Sequence, residues 1–201
     1  MKKLALSLFP ALLMAACSEP APQSPKDVTD IETKTVVTLE SIDVGLAIGA
    51  DIPKSTMLVT SDGNQSLGDS LGDAPAVLIF TRSVEWCPYC QTQLKSVNSI
   101  VGDLKDRGYQ VFGVSYDSPD KQNRFSMNQM LDYEMLSDEA SVVIDAFKLR
   151  DPQYTEGRAV GVPYASVVVV GKDGKIVAKS VSGDYKKRPT NAQILALIDT
   201  I

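Results

Sequence analysis

The chain of 201 residues holds 20 Lys and Arg against 25 Asp and Glu, a formal charge of −5, and no basic cluster offers a footprint for nucleic acid. It contains no His, which removes imidazole general bases, Ser-His-Asp triads and most zinc or copper sites. Neither a metal nor an organic cofactor is expected.

Lys2 and Lys3 precede an apolar run from Leu4 to Ala16 that ends in small residues, the pattern of a secretory signal over residues 1–17. The run is about 13 residues, short of the ~20 that cross a bilayer as a helix, and Pro10 interrupts it. Its end, Leu13-Met14-Ala15-Ala16-Cys17, resembles a bacterial lipobox, which implies an exported protein lipidated at Cys17. Ordinary signal cleavage leaving a free Cys17 is the alternative. Acyl chains would hold the protein at a membrane, each buried CH₂ adding ~0.8 kcal/mol. By resemblance to lipoprotein sorting in Gram-negative bacteria, Ser18 in place of Asp implies the outer membrane, facing the periplasm.

Residues 18–40 carry Pro20, Pro22 and Pro25 with almost nothing apolar to bury, and read as a flexible tether. Residues 41–201 suit one compact domain. Within it, an apolar run at 57–60 followed by Ser61-Asp62-Gly63-Asn64 predicts a hairpin, and 65–71 a short helical turn. Ala76-Val77-Leu78-Ile79-Phe80 is apolar on both faces, as a central buried strand is.

Leu94, Val97, Val101 and Leu104 then recur at helical spacing, which predicts one amphipathic helix from Cys87 to Gly108. A strand at 109–115 follows, and strand, crossover helix, strand implies parallel pairing with a right-handed connection. Helices are predicted at 120–130 and 140–149 around a short extended piece at 135–136, then a loop over 150–161. The last predicted elements are strands at 164–170 and 175–181 joined by Gly171-Lys172-Asp173-Gly174, and a helix capped by Thr190. The expected fold class is α/β: a mixed central sheet with helices on both faces and an N-terminal hairpin.

Cys87-Pro88-Tyr89-Cys90 falls where the first long helix starts. A helix start leaves unpaired N–H groups and about half a positive charge, and Pro88 suits the first helical position because it lacks an N–H. Cys87 can then cap the helix with its sulfur, the amides of Tyr89 and Cys90 pointing at it. Such sites lower a Cys pKa from ~8.5 to ~3.5–7.5. Cys87 is the expected nucleophile. Cys90, one turn on, is placed to attack a sulfur adduct on Cys87 and so to resolve it. A purely structural clasp fits less well, because a four-residue loop removes little chain entropy.

The run Arg82-Ser83-Val84-Glu85-Trp86-Cys87-Pro88-Tyr89-Cys90-Gln91-Thr92-Gln93-Leu94 resembles the peroxiredoxin-like branch of the alkyl hydroperoxide reductase and thiol-specific antioxidant family, which has a thioredoxin-like fold. Val114-Ser115-Tyr116-Asp117-Ser118, Leu136-Ser137-Asp138, Gly161-Val162-Pro163 and the tail from Tyr185 to Thr190 extend the likeness. The resemblance implies a thiol-based peroxidase with Cys87 as peroxidatic and Cys90 as resolving residue, cycling through a Cys87–Cys90 disulfide. It implies an Arg that steadies the anionic sulfur, Arg188 ahead of Arg82, and an electron-donating thiol partner.

Val84 stands where such proteins carry a Thr or Ser hydroxyl, and Pro88-Tyr89 is the glutaredoxin dipeptide, so a protein-disulfide substrate is the alternative to a peroxide. Trp86 flanks the pair as a core or rim aromatic and a candidate substrate contact. Pro163 resembles the cis-proline of thioredoxin folds, with the Val162 backbone pairing an extended substrate and the ring keeping metal ions from the sulfurs. A metal-delivery module on the same fold is the remaining reading, and the missing His argues against it.

Overall fold

A computed structural model describes residues 41–201; the expected signal, Cys17 and the whole of the expected tether lie outside the described residues. Seven strands form one sheet: β1 (Met57–Thr60), β2 (Gly63–Ser66), β3 (Ala76–Phe80), β4 (Gln110–Ser115), β5 (Glu134–Ser137), β6 (Ala165–Val170) and β7 (Ile176–Ser182), in the order β2-β1-β5-β4-β3-β6-β7. β3 runs parallel to β4, and β4 to β5, whereas β3–β6, β6–β7, β1–β2 and the Val59–Ser137 link between β1 and β5 are antiparallel. Crossovers give the parallel pairs, and tight turns at 61–62 and 171–174 give the antiparallel hairpins β1–β2 and β6–β7, while β3–β6 and β1–β5 pair antiparallel across long connections.

β3 sits at the centre with all five residues buried. Its alternate side chains feed two cores. Leu78 and Phe80 join Leu67 and Leu71 of α1 (Leu67–Leu71) and Val143 and Ile144 of α5 (Val142–Ala146) on one face. Val77 and Ile79 join Leu94 and Val97 of α2 (Pro88–Asn98), Val101 and Leu104 of α3 (Val101–Asp106), and Ile194 and Ile198 of α6 (Asn191–Ile198) on the other. Helices therefore cover both faces, and each fully buried aliphatic side chain contributes roughly 1.5–3 kcal/mol. The remaining helix, α4 (Pro119–Gln129), packs Phe125 against the second core.

Three local expectations are corrected. The long helix from Cys87 is two helices, α2 and α3, because the Ser96 carbonyl is drawn away from regular helix bonding. It accepts from Ser99 N at 3.1 Å, Ser99 Oγ at 2.8 Å and Asn191 Nδ2 at 2.8 Å. Ile100 N then bonds Val97 O, and this i→i−3 tightening ends α2. Residues 65–66 extend β2 instead of opening a helix, and α1 begins after Ser66, whose Oγ accepts from Asp69 N. The helix expected over 140–149 shrinks to α5, because Ser141 and Lys148 hold left-handed φ values of 58° and 57° that α-helix cannot continue through.

Pro163 is trans, as is every peptide bond among the described residues, which overturns the expected cis form and the metal-excluding role attached to it. Arg150 and Pro163 form an antiparallel bridge flanked by Tyr164 N→Leu149 O at 2.8 Å and Asp151 N→Val162 O at 2.9 Å. This two-sided ladder holds the segment extended.

Candidate active site

Beyond β3, Thr81 N continues the ladder to Val114 O at 2.9 Å, and the chain then enters a short loop that leads to Cys87. Asp117, 3% exposed, organises that loop. Its carboxylate accepts from Ser83 Oγ at 2.6 Å, Val84 N at 2.7 Å and Ser115 Oγ at 2.7 Å. Ser83 Oγ in turn accepts from Glu85 N and Trp86 N. Gln91 Nε2 reaches back from α2 to Val84 O at 2.8 Å, fixing the angle between loop and helix.

Cys87 is the N-cap of α2, with Pro88 at the first helical position. Of the two amides expected to face its sulfur, that of Cys90 makes the bond, at 3.3 Å. Cys87 and Cys90 are joined as a disulfide with S–S 2.02 Å, and they are 2% and 0% exposed. The helix N-terminus and the Cys90 amide both favour negative charge on Cys87 once the bond is opened.

Of the two sulfurs, Arg188 hydrogen-bonds that of Cys90. Its Nη2 donates to Cys90 Sγ at 3.1 Å, its Nη1 to Gln93 Oε1 at 2.6 Å and its Nε to Tyr185 O at 3.0 Å. Burial, and then the neighbouring charge of Arg82, push its pKa down to about 10, still well above neutrality. Arg82, 5% exposed, stacks its guanidinium on the rings of Tyr185 at 4.2 Å, Tyr154 at 4.3 Å and Trp86 at 5.1 Å. Its buried Nε has no hydrogen-bond acceptor among the described residues. Neither arginine takes part in an ion pair with a described carboxylate.

Trp86 is pinned from two sides. Its Nε1 donates to Tyr116 Oη at 3.1 Å, Arg158 lies 4.9 Å from its ring, and the Tyr116 hydroxyl donates to Arg158 O. It lines an open cleft of about 570 Å³ with Glu85, Tyr116, Lys121 and Arg158. Val84 is buried in the second core, so no hydroxyl stands at that position. Val162 is 0% exposed, its N–H donates to Ala159 O at 3.3 Å, and its carbonyl accepts from Asp151. Both main-chain groups are thus engaged within the chain, and the expected pairing with a substrate finds neither of them open.

Four residues of this arrangement were not singled out from sequence: Gln93, Tyr154, Tyr185 and the Ser83–Asp117 pair's carboxylate. Gln93 carried a signal, since it lies three residues after Cys90 beside the apolar stripe, where a buried amide needs a partner. Tyr185 opens the tail that extends the family likeness, and Tyr154 carried no signal.

A bondable pair of cysteines opening the helix after the central strand of a thioredoxin-like sheet defines a thiol-disulfide oxidoreductase. The AhpC/TSA family model matches residues 48–179, and the chain belongs to that family. It is 28% identical over 137 residues to peroxiredoxin Bcp of Escherichia coli, covering 68% of this chain and 85% of the relative. It is 30% identical over 132 residues to a putative peroxiredoxin of Mycobacterium tuberculosis, covering 66% and 83%. A peroxiredoxin-like protein from Aquifex aeolicus shares the fold, with TM-score 0.64 and 21% identity over 81% of this chain and 91% of that one.

Proposed function

We propose that this protein is a peroxide-reducing thiol enzyme that cycles through the Cys87–Cys90 disulfide. The Cys87 thiolate attacks the O–O bond of a hydroperoxide. An S–O bond forms, the O–O bond breaks, the sulfur loses two electrons, and the alkoxide or hydroxide leaves with a proton from solvent. Cys90 then displaces hydroxide from the sulfenic acid, closing the disulfide, and a dithiol donor of the thioredoxin type reduces it again. The observation that carries this reading is Cys87 Sγ at the N-cap of α2, accepting from Cys90 N, with Cys90 in bonding reach. Membership of the AhpC/TSA family supports it.

The buried, apolar Val84 favours a second reading, reduction of protein disulfides by the same pair, because no side-chain hydroxyl is there to orient a peroxide. Mixing the reduced whole chain, carrying Cys17→Ser, with hydrogen peroxide while following Trp86 fluorescence separates the two. Oxidation well above the rate of free cysteine is expected. A rate equal to free cysteine, with rapid reduction of an insulin-type disulfide, would replace the first reading by the second.

The same proposal places the enzyme on a lipid anchor at Cys17, tethered by residues 18–40 to the periplasmic side of the outer membrane. The lipobox-like Leu13–Cys17 run and the proline-rich 18–40 segment support this. Incorporation of labelled fatty acid that disappears in Cys17→Ala is the check, and unchanged labelling would remove the anchor.

A further inference from the structure

Buried Arg82 and half-buried Arg188 meet at this site without a carboxylate partner among the described residues, and Arg188 addresses the sulfur that the helix start does not serve. The acceptors that the Arg188 guanidinium meets among the described residues are all neutral in the disulfide form: Cys90 Sγ, Gln93 Oε1 and Tyr185 O. A partly desolvated cation without an anion gains from one placed beside it, and opening the disulfide supplies one if Cys90 becomes a thiolate. Cys90 needs that help. At 0% exposure its thiol would otherwise be pushed upward by burial, and its own amide is committed to Cys87.

We infer that Arg188, aimed by Gln93, is a catalytic residue of the resolving step, holding Cys90 as the thiolate that attacks oxidised Cys87. The two sulfurs thus draw on separate sources, Cys87 on the start of α2 and Cys90 on a guanidinium from the segment between β7 and α6. In the step itself the Cys90 thiolate forms the S–S bond, the S–O bond of the Cys87 sulfenic acid breaks, and hydroxide takes a proton from solvent to leave as water. The Cys87 sulfur is reduced and the Cys90 sulfur oxidised by the same electron pair. Gln93 is a positioning residue: its Oε1 fixes Nη1 at 2.6 Å and so directs Nη2 at Cys90. The charged or titratable groups recorded around Cys90 are Arg188 and Tyr185 from that segment, Cys87 from its own helix, and Arg82 acting through Arg188.

This inference rests on the peroxidase reading for its reaction but not for its first test. In the whole chain carrying Cys17→Ser and Cys87→Ser, thiolate absorbance titrates Cys90 alone. A midpoint below the ordinary ~8.5 is expected, rising by about one to three pH units in Arg188→Met and by less in Arg188→Lys, which keeps the cation. Gln93→Leu should fall between them. An unchanged midpoint in Arg188→Met overturns the assignment; if that variant does not fold, an unchanged midpoint in Gln93→Leu does so.

The second test keeps both cysteines and follows peroxide oxidation with a sulfenic-acid trap. Closure of the disulfide should slow at least about tenfold in Arg188→Met, with trapped Cys87 adduct accumulating, as one pH unit of thiolate stabilisation implies. Slowing confined to the first oxidation of Cys87 would return Arg188 to the other sulfur and sink the proposal. If wild-type Cys87 resists peroxide altogether, the peroxidase reading fails, while the titration still decides what Arg188 does.

Discussion

Ser83 Oγ donates to Asp117 Oδ1 at 2.6 Å, joining the loop before Cys87 to the turn after β4 across 34 residues of sequence. The other carboxylate oxygen takes Val84 N and Ser115 Oγ. Asp117→Ala leaves a buried amide and two buried hydroxyls without their acceptor, and unpaired groups of this kind cost about 1–3 kcal/mol each. A loss of about 3 kcal/mol in urea unfolding is expected, together with slower oxidation of Cys87, because the same carboxylate sets the approach to α2. Unaltered Cys87 reactivity at reduced stability would show that the loop is held by Gln91 alone.

Gly113 places bare backbone under α2. It lies in β4 opposite Ile79 and Met135, and a Cβ there would overlap Met135 Sδ and come within 3.3 Å of Leu94 Cδ2. Met135 is flexible and can yield, whereas Leu94 belongs to the helix that carries the cysteines. Gly113→Ala should cost about 1–3 kcal/mol and Gly113→Val more, read as a lower thermal midpoint. Equal stability in both variants would mean that the contact relaxes through Met135 without moving α2.

Much of this organisation was legible because it is local. β3 follows from five consecutive apolar residues, the β6–β7 hairpin from its turn residues, and the caps at Cys87 and Thr190 from residue types at helix starts. What escaped depends on partners far along the chain. Asn191 ends α2 by bonding Ser96 O from 95 residues away, and Arg188 finds Cys90 from 98 away. Periodicity holds no trace of either contact. Arg188 was singled out by resemblance, yet the sulfur it serves is decided by Gln93 and the path of the segment after β7. Pro163 was misjudged for the same reason, since its geometry is set by the strand-like pairing with Arg150.

Asp138 gives a pH signature separate from the sulfurs. Burial raises its pKa from 3.8 to about 6, although the amides of Ile144 at 2.7 Å and Val143 at 3.1 Å pull it down. The folded state therefore binds this proton more tightly than the unfolded chain. The associated stability is fully present below pH ~4, declines as pH rises toward ~6, and is absent above that, with an upper size of about 3 kcal/mol. In Asp138→Asn the difference in unfolding free energy from wild type should vary across that window and be flat above pH ~7. A difference constant from pH 4 to 8 would mean that Asp138 is ionised throughout, its charge carried by the start of α5.

Thr190 tests how the tail delivers Arg188. Its Oγ1 accepts from Gln193 N at 3.3 Å while its own N–H donates to Gln193 Oε1 at 2.9 Å, a reciprocal cap that starts α6 two residues after Arg188. Thr190→Ala should destabilise the fold by about 1 kcal/mol, and Thr190→Ser, which keeps the hydroxyl, by much less. A frayed α6 start frees the backbone that carries Arg188, so disulfide closure should slow in Thr190→Ala and not in Thr190→Ser. Closure unchanged in the destabilised variant would show that Gln93 and Tyr185 hold the guanidinium without the helix. Closure that falls in step with the loss of the cap would make α6 the anchor of the resolving step.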